Sequence, residues 1–311
     1  MRYPRPLAPG DTIGVTATSS GVEPDFETRL DDAVRMLRRS GYDVVLGDCL
    51  RGGSHVSAPA VDRAAELMRM LLDPGIRAVV PPWGGETGID LLPLLDFDAL
   101  AAAEPTWFAG YSDTSTLLTP LTLLTGAATL HGANLMELAA SRPPEFASWP
   151  DIASLGAGAV VRQTSPTRGW KRLDGGEGDL DVSGRMIGGC IETLAHVAGT
   201  PFGRTSTLGP AIVYVEACED GAYSICRSLH GMRLAGFFDT AVAVLVGRTS
   251  APDSPTLTQS EAVLDALGML GVPIVSEVEV GHVAPQLTLV NGSLGRLVWS
   301  DGDRFLEQTL A

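Results

Sequence analysis

Short apolar runs that alternate with amphipathic helical stretches constrain this chain more than any other feature. Thr12 to Thr18 reads as a buried strand, Phe26 to Ser40 as a helix closed by Gly41, and Tyr42 to Leu46 as a second strand. Val61 to Leu72 reads as a helix ended by Asp73-Pro-Gly75, Ile76 to Val80 as a third strand and Trp107 to Tyr111 as a fourth. Strands separated by helices cannot pair as hairpins. They need crossover connections, which predicts a parallel sheet with helices on both faces. In such sheets ligands bind outside the carboxyl ends of the strands. That singles out Ser19-Ser20-Gly21, Trp83-Gly84-Gly85 and Ser112-Asp113.

A second series follows. Met186 to Ala198 reads as helix, Ala211 to Ala217 and Ala241 to Val246 as strands, Thr258 to Leu270 as helix and Val272 to Ser276 as strand. Short alternating strands run from Leu287 to the end. Between the two series the composition shifts, from about Ser141 to Gly184, with Arg142-Pro-Pro144 and a Gly/Asp-rich run from Asp174 to Asp179. The length of 311 residues suits about two domains. The expected division is 1–145, a linker and interdomain loop over 146–183, and 184–311. The expected class is α/β: an N-terminal Rossmann-like parallel sheet with a nucleophile elbow, plus a smaller C-terminal α/β domain with a mixed β-sheet or barrel-like core.

Charge excludes some functions. Acidic residues number 37 against 22 basic ones, a net of −15. A broad nucleic-acid or anionic-membrane surface needs clustered positive charge, so neither partner is expected. No run reaches the roughly 18 apolar residues of a membrane span, and Met1 to Gly10 lacks the apolar core of a signal peptide. The expected location is the cytoplasm. Cys49, Cys190, Cys218 and Cys226 lie far apart with no C-x-x-C, so they read as reduced core thiols, not a disulfide frame or a zinc site.

Gly110-Tyr-Ser112-Asp113-Thr-Ser115 follows a strand and opens an apolar helical pattern. This is the layout of a nucleophile elbow, a sharp turn that lifts a serine hydroxyl above the sheet beside free helix N–H groups. Thr114 replaces the second glycine of the usual motif, and an ordinary helix cap by Ser112 or Asp113 is the competing reading. A serine needs a base. Of five histidines, His55 lies in a Gly/Ser loop, and His196 and His230 sit in helical patterns. His131 ends an apolar run, and His282 follows Gly281 at a strand end. Glu216 closes the apolar run Ile212-Val-Tyr-Val, where a buried carboxylate needs a partner. It is either the group that orients the imidazole or a salt-bridged strand end. Gly84 and Gly85 would let backbone N–H groups approach a substrate oxygen.

Together these segments resemble the peptidase S66 family, the LD-carboxypeptidases and their relatives that include the microcin C7 self-immunity hydrolases. The resemblance lies in Leu7-Ala-Pro-Gly-Asp11, in Gly84-Gly85 followed by Leu91-Leu-Pro, and in Gly110-Tyr-Ser112-Asp113. It continues through His131-Gly132, Gly188-Gly189-Cys-Ile-Glu192, Gly199-Thr-Pro201, Tyr214-Val-Glu216 and Gly281-His282, in order along nearly the whole chain. It implies a serine hydrolase with Ser112 as nucleophile, His282 as base and Glu216 as orienting carboxylate. Gly85 and Asp113 would donate N–H groups to the oxyanion. The implied substrate is a small peptide, a murein tetrapeptide losing its terminal D-amino acid, or in the second branch an aminoacyl-nucleotide; a non-catalytic small-ligand binding protein of the same fold is the further alternative. No metal or cofactor is implied, and members are commonly homodimers. Trp83 precedes the glycines and Glu86 follows them, where the family often has Arg-Gly-Gly and then an aromatic residue; both are candidate substrate contacts. Arg168-Gly-Trp170-Lys-Arg is similar to the microcin branch, which implies Trp170 stacking on the substrate; a loop tryptophan buried between domains is the competing reading.

Overall fold

The computed structural model describes residues 1–138, 146–164, 169–300 and 302–311. The chain divides into two units. One comprises Met1–Ser141 and Ser148–Ala157, the other Arg142–Ala147 and Gly158–Ala311.

In the first unit, β1 (Thr12–Val15), β2 (Asp43–Leu46), β3 (Ile76–Val80), β4 (Trp107–Gly110) and β5 (Thr129–His131) form a parallel sheet in the order β5-β4-β3-β1-β2. The central β3 and β4 are buried along their whole length, which is why they read as continuous apolar runs. Edge strand β2 alternates exposed and half-buried residues. Helix α1 (Glu27–Arg39) buries Leu30, Ala33, Val34 and Leu37, one stripe at helical spacing. Helix α2 (Ala60–Leu72) buries Ala64, Leu67, Met70 and Leu71. Each such leucine contributes about 1.5–3 kcal/mol by leaving water. Helix α3 (Phe97–Ala102) is capped by Asp96, whose side chain accepts the Ala99 N–H at 2.9 Å. Helix α4 (Ser115–Thr125) starts beyond the Ser112 turn and stops at Gly126, which takes the left-handed conformation (φ 68°) open to glycine. Helix α5 (Trp149–Ala153) also belongs to this unit.

The second unit holds β6 (Val160–Thr164), β7 (Lys171–Arg172), β8 (Leu180–Cys190), β9 (Ala211–Glu216), β10 (Ala241–Gly247), β11 (Ile274–Val278), β12 (Leu289–Asn291), β13 (Leu294–Trp299) and β14 (Arg304–Thr309). All but β12 form one mixed sheet in the order β6-β14-β13-β8-β9-β10-β11-β7. Strands β8 to β11 are mutually parallel, while β13, β14, β6 and β7 pair antiparallel. Its helices are α6 (Ile191–Val197), α7 (Ala222–Leu234) and α8 (Gln259–Leu267). The fold is thus α/β, with a parallel N-terminal sheet and a mixed C-terminal one.

Two sequence readings need correction. Met186 to Cys190 is strand, not helix. A Cβ on Gly188 would run into the Tyr214 backbone, so the glycines permit β8 to lie tightly along β9, and the helix begins only at Ile191. The stretch 146–183, read as linker, carries α5, β6, β7 and the start of β8. Ser141 to Pro144 and Arg168 lie outside the described residues. Among the described residues no helix is long and apolar enough to cross a membrane.

Candidate functional site

In the first unit three loops meet beyond the carboxyl ends of β1, β3 and β4. Ser112 lies immediately past β4 with φ 60°, a left-handed conformation unusual for a residue with a side chain. Such strain is held only where surrounding structure over-determines it. Here Gly110 leaves the necessary room: a Cβ there would stand 2.7 Å from Thr114 Cγ2 and 2.9 Å from Asn134 Oδ1. That same Asn134 oxygen accepts the Tyr111 N–H at 3.2 Å. Asp113 does not cap the helix. Its buried carboxylate accepts the Gly88 N–H at 2.8 Å, tying the loop after β3 to the serine turn. Burial raises the Asp113 pKa against the lowering pull of hydrogen bonds from Ser19 and Gly88.

The glycines of that loop have distinct positions. A Cβ on Gly84 would meet Ser112 Cβ and Oγ at 3.0 Å, so Gly84 lies directly against the serine hydroxyl. Gly85 (φ 142°) packs instead over Ser19 and Ser20, where a Cβ would come to 2.8 Å from the Ser20 nitrogen. The Thr87 N–H donates to Ser19 Oγ at 2.8 Å. Buried Arg63, which sequence reasoning passed over, donates from Nη1 to the carbonyls of Thr18 (2.5 Å) and Thr87 (3.3 Å). It thereby joins the loops after β1 and β3. Trp83 is half-buried, donates Nε1–H to the Ser20 carbonyl at 3.1 Å and meets Phe26 edge-on at 5.2 Å. Glu86 is exposed. His131 is fully buried at the end of β5, edge-on to Tyr111 at 6.3 Å, which places it in the core of the unit and not on a cleft.

The second unit brings Glu216 and His282 together. Glu216 ends β9, is fully buried, and its Oε2 lies 2.8 Å from His282 Nδ1. Its Oε1 has no hydrogen-bond partner among the described residues. A buried carboxylate so sparsely bonded depends on the imidazole. The cradle is built of absent side chains. A Cβ on Gly281 would overlap the Glu216 carboxylate, 2.6 Å from Cδ, and one on Gly247 would come to 2.7 Å from Glu216 Cβ. Gly281 also holds φ 95°. For His282, burial pulls the pKa down, but hydrogen bonds with Cys218 and Glu216 and the nearby negative charge outweigh it and raise the pKa to about 10.

Two supports of this pair carried little signal in the sequence. Arg248, just past β10, donates from Nη2 to the carbonyls of Val283 (3.1 Å) and Pro285 (2.5 Å), clamping the segment that follows His282. Glu192 Oε1 accepts the N–H groups of Cys218 (2.8 Å), Glu219 (3.1 Å) and Asp220 (3.2 Å), fixing the loop after β9. None of the four cysteines is in a disulfide, but only Cys49 and Cys190 are core thiols, since Cys218 and Cys226 are partly exposed. Trp170 departs from its expected role. It is 1% exposed, packs in the core with Tyr214, Val278 and Val280, and donates Nε1–H to Glu279 Oε2 at 2.6 Å. A ring enclosed in this way has no free face for a substrate to stack on.

Family models agree with the two halves of this description. That of the LD-carboxypeptidase N-terminal domain (peptidase S66) matches residues 13–132, and that of the LD-carboxypeptidase C-terminal domain matches 183–297. The chain is 31% identical to a putative carboxypeptidase of Streptomyces coelicolor, over 93% of this chain and 91% of the relative. It is 27% identical to the probable murein peptide carboxypeptidase of Bacillus subtilis, over 93% and 89%. It is 28% identical to the microcin C7 self-immunity protein MccF of Escherichia coli, over 92% and 90%. A solved structure of MccF without ligand superposes with a TM-score of 0.84 at 24% identity, covering 98% of each chain.

Proposed function

Because the chain belongs to the peptidase S66 family of LD-carboxypeptidases, we propose that it is a serine carboxypeptidase that removes the terminal D-amino acid from a murein-type tetrapeptide. Ser112 is the nucleophile, His282 the general base and then acid, and Glu216 the carboxylate that orients the imidazole. The observation that carries this reading is the strained Ser112 turn at a parallel strand end, φ 60° ahead of α4. The buried Glu216–His282 pair supports it.

The chemistry follows from those groups. Glu216 accepts the Nδ1 hydrogen of His282, and the neutral form of the ring, whose share grows as the pH rises toward the raised pKa of about 10, takes the Ser112 proton at Nε2 as Oγ attacks the carbonyl carbon. The tetrahedral oxyanion receives the backbone N–H groups of Gly85 and Asp113. The imidazolium, stabilised by the buried Glu216 carboxylate, then gives its proton to the leaving amine. Water, deprotonated by His282, hydrolyses the acyl-serine and restores the enzyme. Trp83 and Glu86 belong to the loop that carries the oxyanion donor and are candidate substrate contacts. Action in the cytoplasm as a homodimer is part of the same proposal and rests on the family.

The B. subtilis relative is named for murein peptides and supports this substrate class. The MccF relative carries the other branch, but Trp170 is enclosed in the core, so no observed side chain favours a nucleotide. A product-resolved assay tests the proposal. Wild type should release a free D-amino acid from an L,D-tetrapeptide, and Ser112→Ala should lose on the order of 10³-fold or more in rate. An aminoacyl-sulfamoyl adenosine serves as the competing substrate. Equal turnover by the Ser112→Ala variant would end the serine mechanism, and cleavage of the adenosine compound alone would transfer the enzyme to the other branch.

A further inference from the structure

The cysteine spacing gives no zinc motif, yet the packing of two helices assembles a mixed donor set. Cys226 and His230 are four apart on α7 and so share one face of that helix. Asp265 on α8 meets both. Its Oδ2 lies 2.9 Å from His230 Nε2 and 3.3 Å from Cys226 Sγ. All three candidate ligand atoms fall within 4.8 Å of one another. We propose that Cys226, His230 and Asp265 form a binding site for a divalent transition-metal ion of the zinc class, with water completing the coordination.

The dimensions suit such an ion. Zinc bonds to sulfur at about 2.3 Å and to nitrogen or oxygen at about 2.0–2.2 Å, so neighbouring tetrahedral ligands stand roughly 3.3–3.7 Å apart. The two short separations need to open by only a few tenths of an ångström. Thiolate, imidazole and carboxylate together favour zinc, copper or cobalt over magnesium and calcium, which prefer all-oxygen sites. The site is partly solvent-exposed, with His230 at 35% and Asp265 at 62% of side-chain surface open, so a water ligand and an entry path are both available.

In the metal-free form hydrogens fill the place of the ion. Arg233 Nη2 lies 3.3 Å from His230 Nδ1, and an arginine can only donate, so Nδ1 accepts and the ring hydrogen sits on Nε2, aimed at Asp265. The Cys226 thiol points its hydrogen at the same oxygen. Metal binding removes the thiol hydrogen to solvent and moves the ring hydrogen to Nδ1, which then donates. Arg233, which is half-buried, has to release Nδ1 for this. The competing role for the three residues is a purely hydrogen-bonded tie between α7 and α8.

The test uses chelator-treated full-length protein titrated with Co²⁺, then with Zn²⁺ in competition. Wild type should take up one Co²⁺ per chain with a thiolate-to-cobalt charge-transfer band and tetrahedral visible bands, both bleached by Zn²⁺. Cys226→Ser should lose the charge-transfer band, and His230→Ala, which keeps every cysteine, should weaken Zn²⁺ binding about tenfold or more. Thermal melts of the metal-free variants check that each is folded. A wild type without the charge-transfer band overturns the proposal. So does a band that persists in Cys226→Ser, or a Zn²⁺ affinity unchanged in His230→Ala.

Discussion

Replacing Gly281 by alanine separates Glu216 from His282 while leaving both residues in the chain. The new methyl would overlap the Glu216 carboxylate, lying 2.6 Å from Cδ and 2.7 Å from Cβ. The backbone there holds φ 95°, which adds about 1–2 kcal/mol of strain for any L side chain. Overpacking in a filled site costs about 1–3 kcal/mol more. The total, about 2–5 kcal/mol, is within what a domain of ordinary stability survives. The cheapest relief is for the carboxylate to move by about 0.5–1 Å, and misplacement on that scale costs on the order of 10²-fold in rate. Moving Oε2 from Nδ1 also withdraws one of the two hydrogen bonds that hold the imidazole up to about 10, so its midpoint should fall toward the ordinary 6.5. Steady-state kinetics on a tetrapeptide, a urea melt and an NMR titration of the His282 ring read the three effects. A variant as fast and as stable as wild type, with the same His282 midpoint, would refute the cradle and with it the role given to Gly281.

The other predictions draw on the same geometry. Glu216→Gln keeps the volume but removes the charge, so the His282 midpoint should drop by more than one unit and the rate by about 10⁴-fold; an unmoved NMR midpoint contradicts this. Because the folded pKa of His282 lies above its unfolded value, the pair contributes stability below about pH 6.5 that disappears as the pH rises through about 10. Urea melts across that window should show the loss in wild type and not in His282→Ala. Arg248→Ala frees the Val283 and Pro285 carbonyls and should lower kcat about tenfold or more at little change in KM, with partial rescue by lysine, which reaches one carbonyl well and not two; a KM-only effect would mean that the clamp does not position His282. Gly84→Ala places a methyl 3.0 Å from Ser112 Oγ without backbone strain, so activity should fall while the melting temperature stays within a few degrees.

Local signals were readable where one short segment contains its own physics. Gly110-Tyr-Ser112 after an apolar run identifies a sharp turn because only a residue lacking Cβ fits against Thr114 and Asn134. Glu216 stands out because a charge at the end of Ile212-Val-Tyr-Val needs a partner, and the structure supplies His282. What failed depends on neighbours far away in sequence. Ile187 and Cys190 fall at helical spacing, and only the approach of β9 makes Met186 to Cys190 a strand. The likeness of Arg168-Gly-Trp170-Lys-Arg to the microcin branch implies a stacking role for Trp170, but its ring is covered by strands that the segment does not name. Arg248 and Glu192 act on backbone groups of other loops, which leave no trace in composition. Asp265 is invisible beside Cys226 and His230 until α7 and α8 pack together.

The account stands or falls on Ser112 being a nucleophile activated by His282. The most direct measurement is labelling with a serine-reactive fluorophosphonate, read by intact mass and peptide mapping. Wild type should gain a single adduct on the peptide containing Ser112, His282→Ala should label far more slowly, and Ser112→Ala should not label at all. An adduct elsewhere, or none in an enzyme that still cleaves its tetrapeptide, would contradict the account.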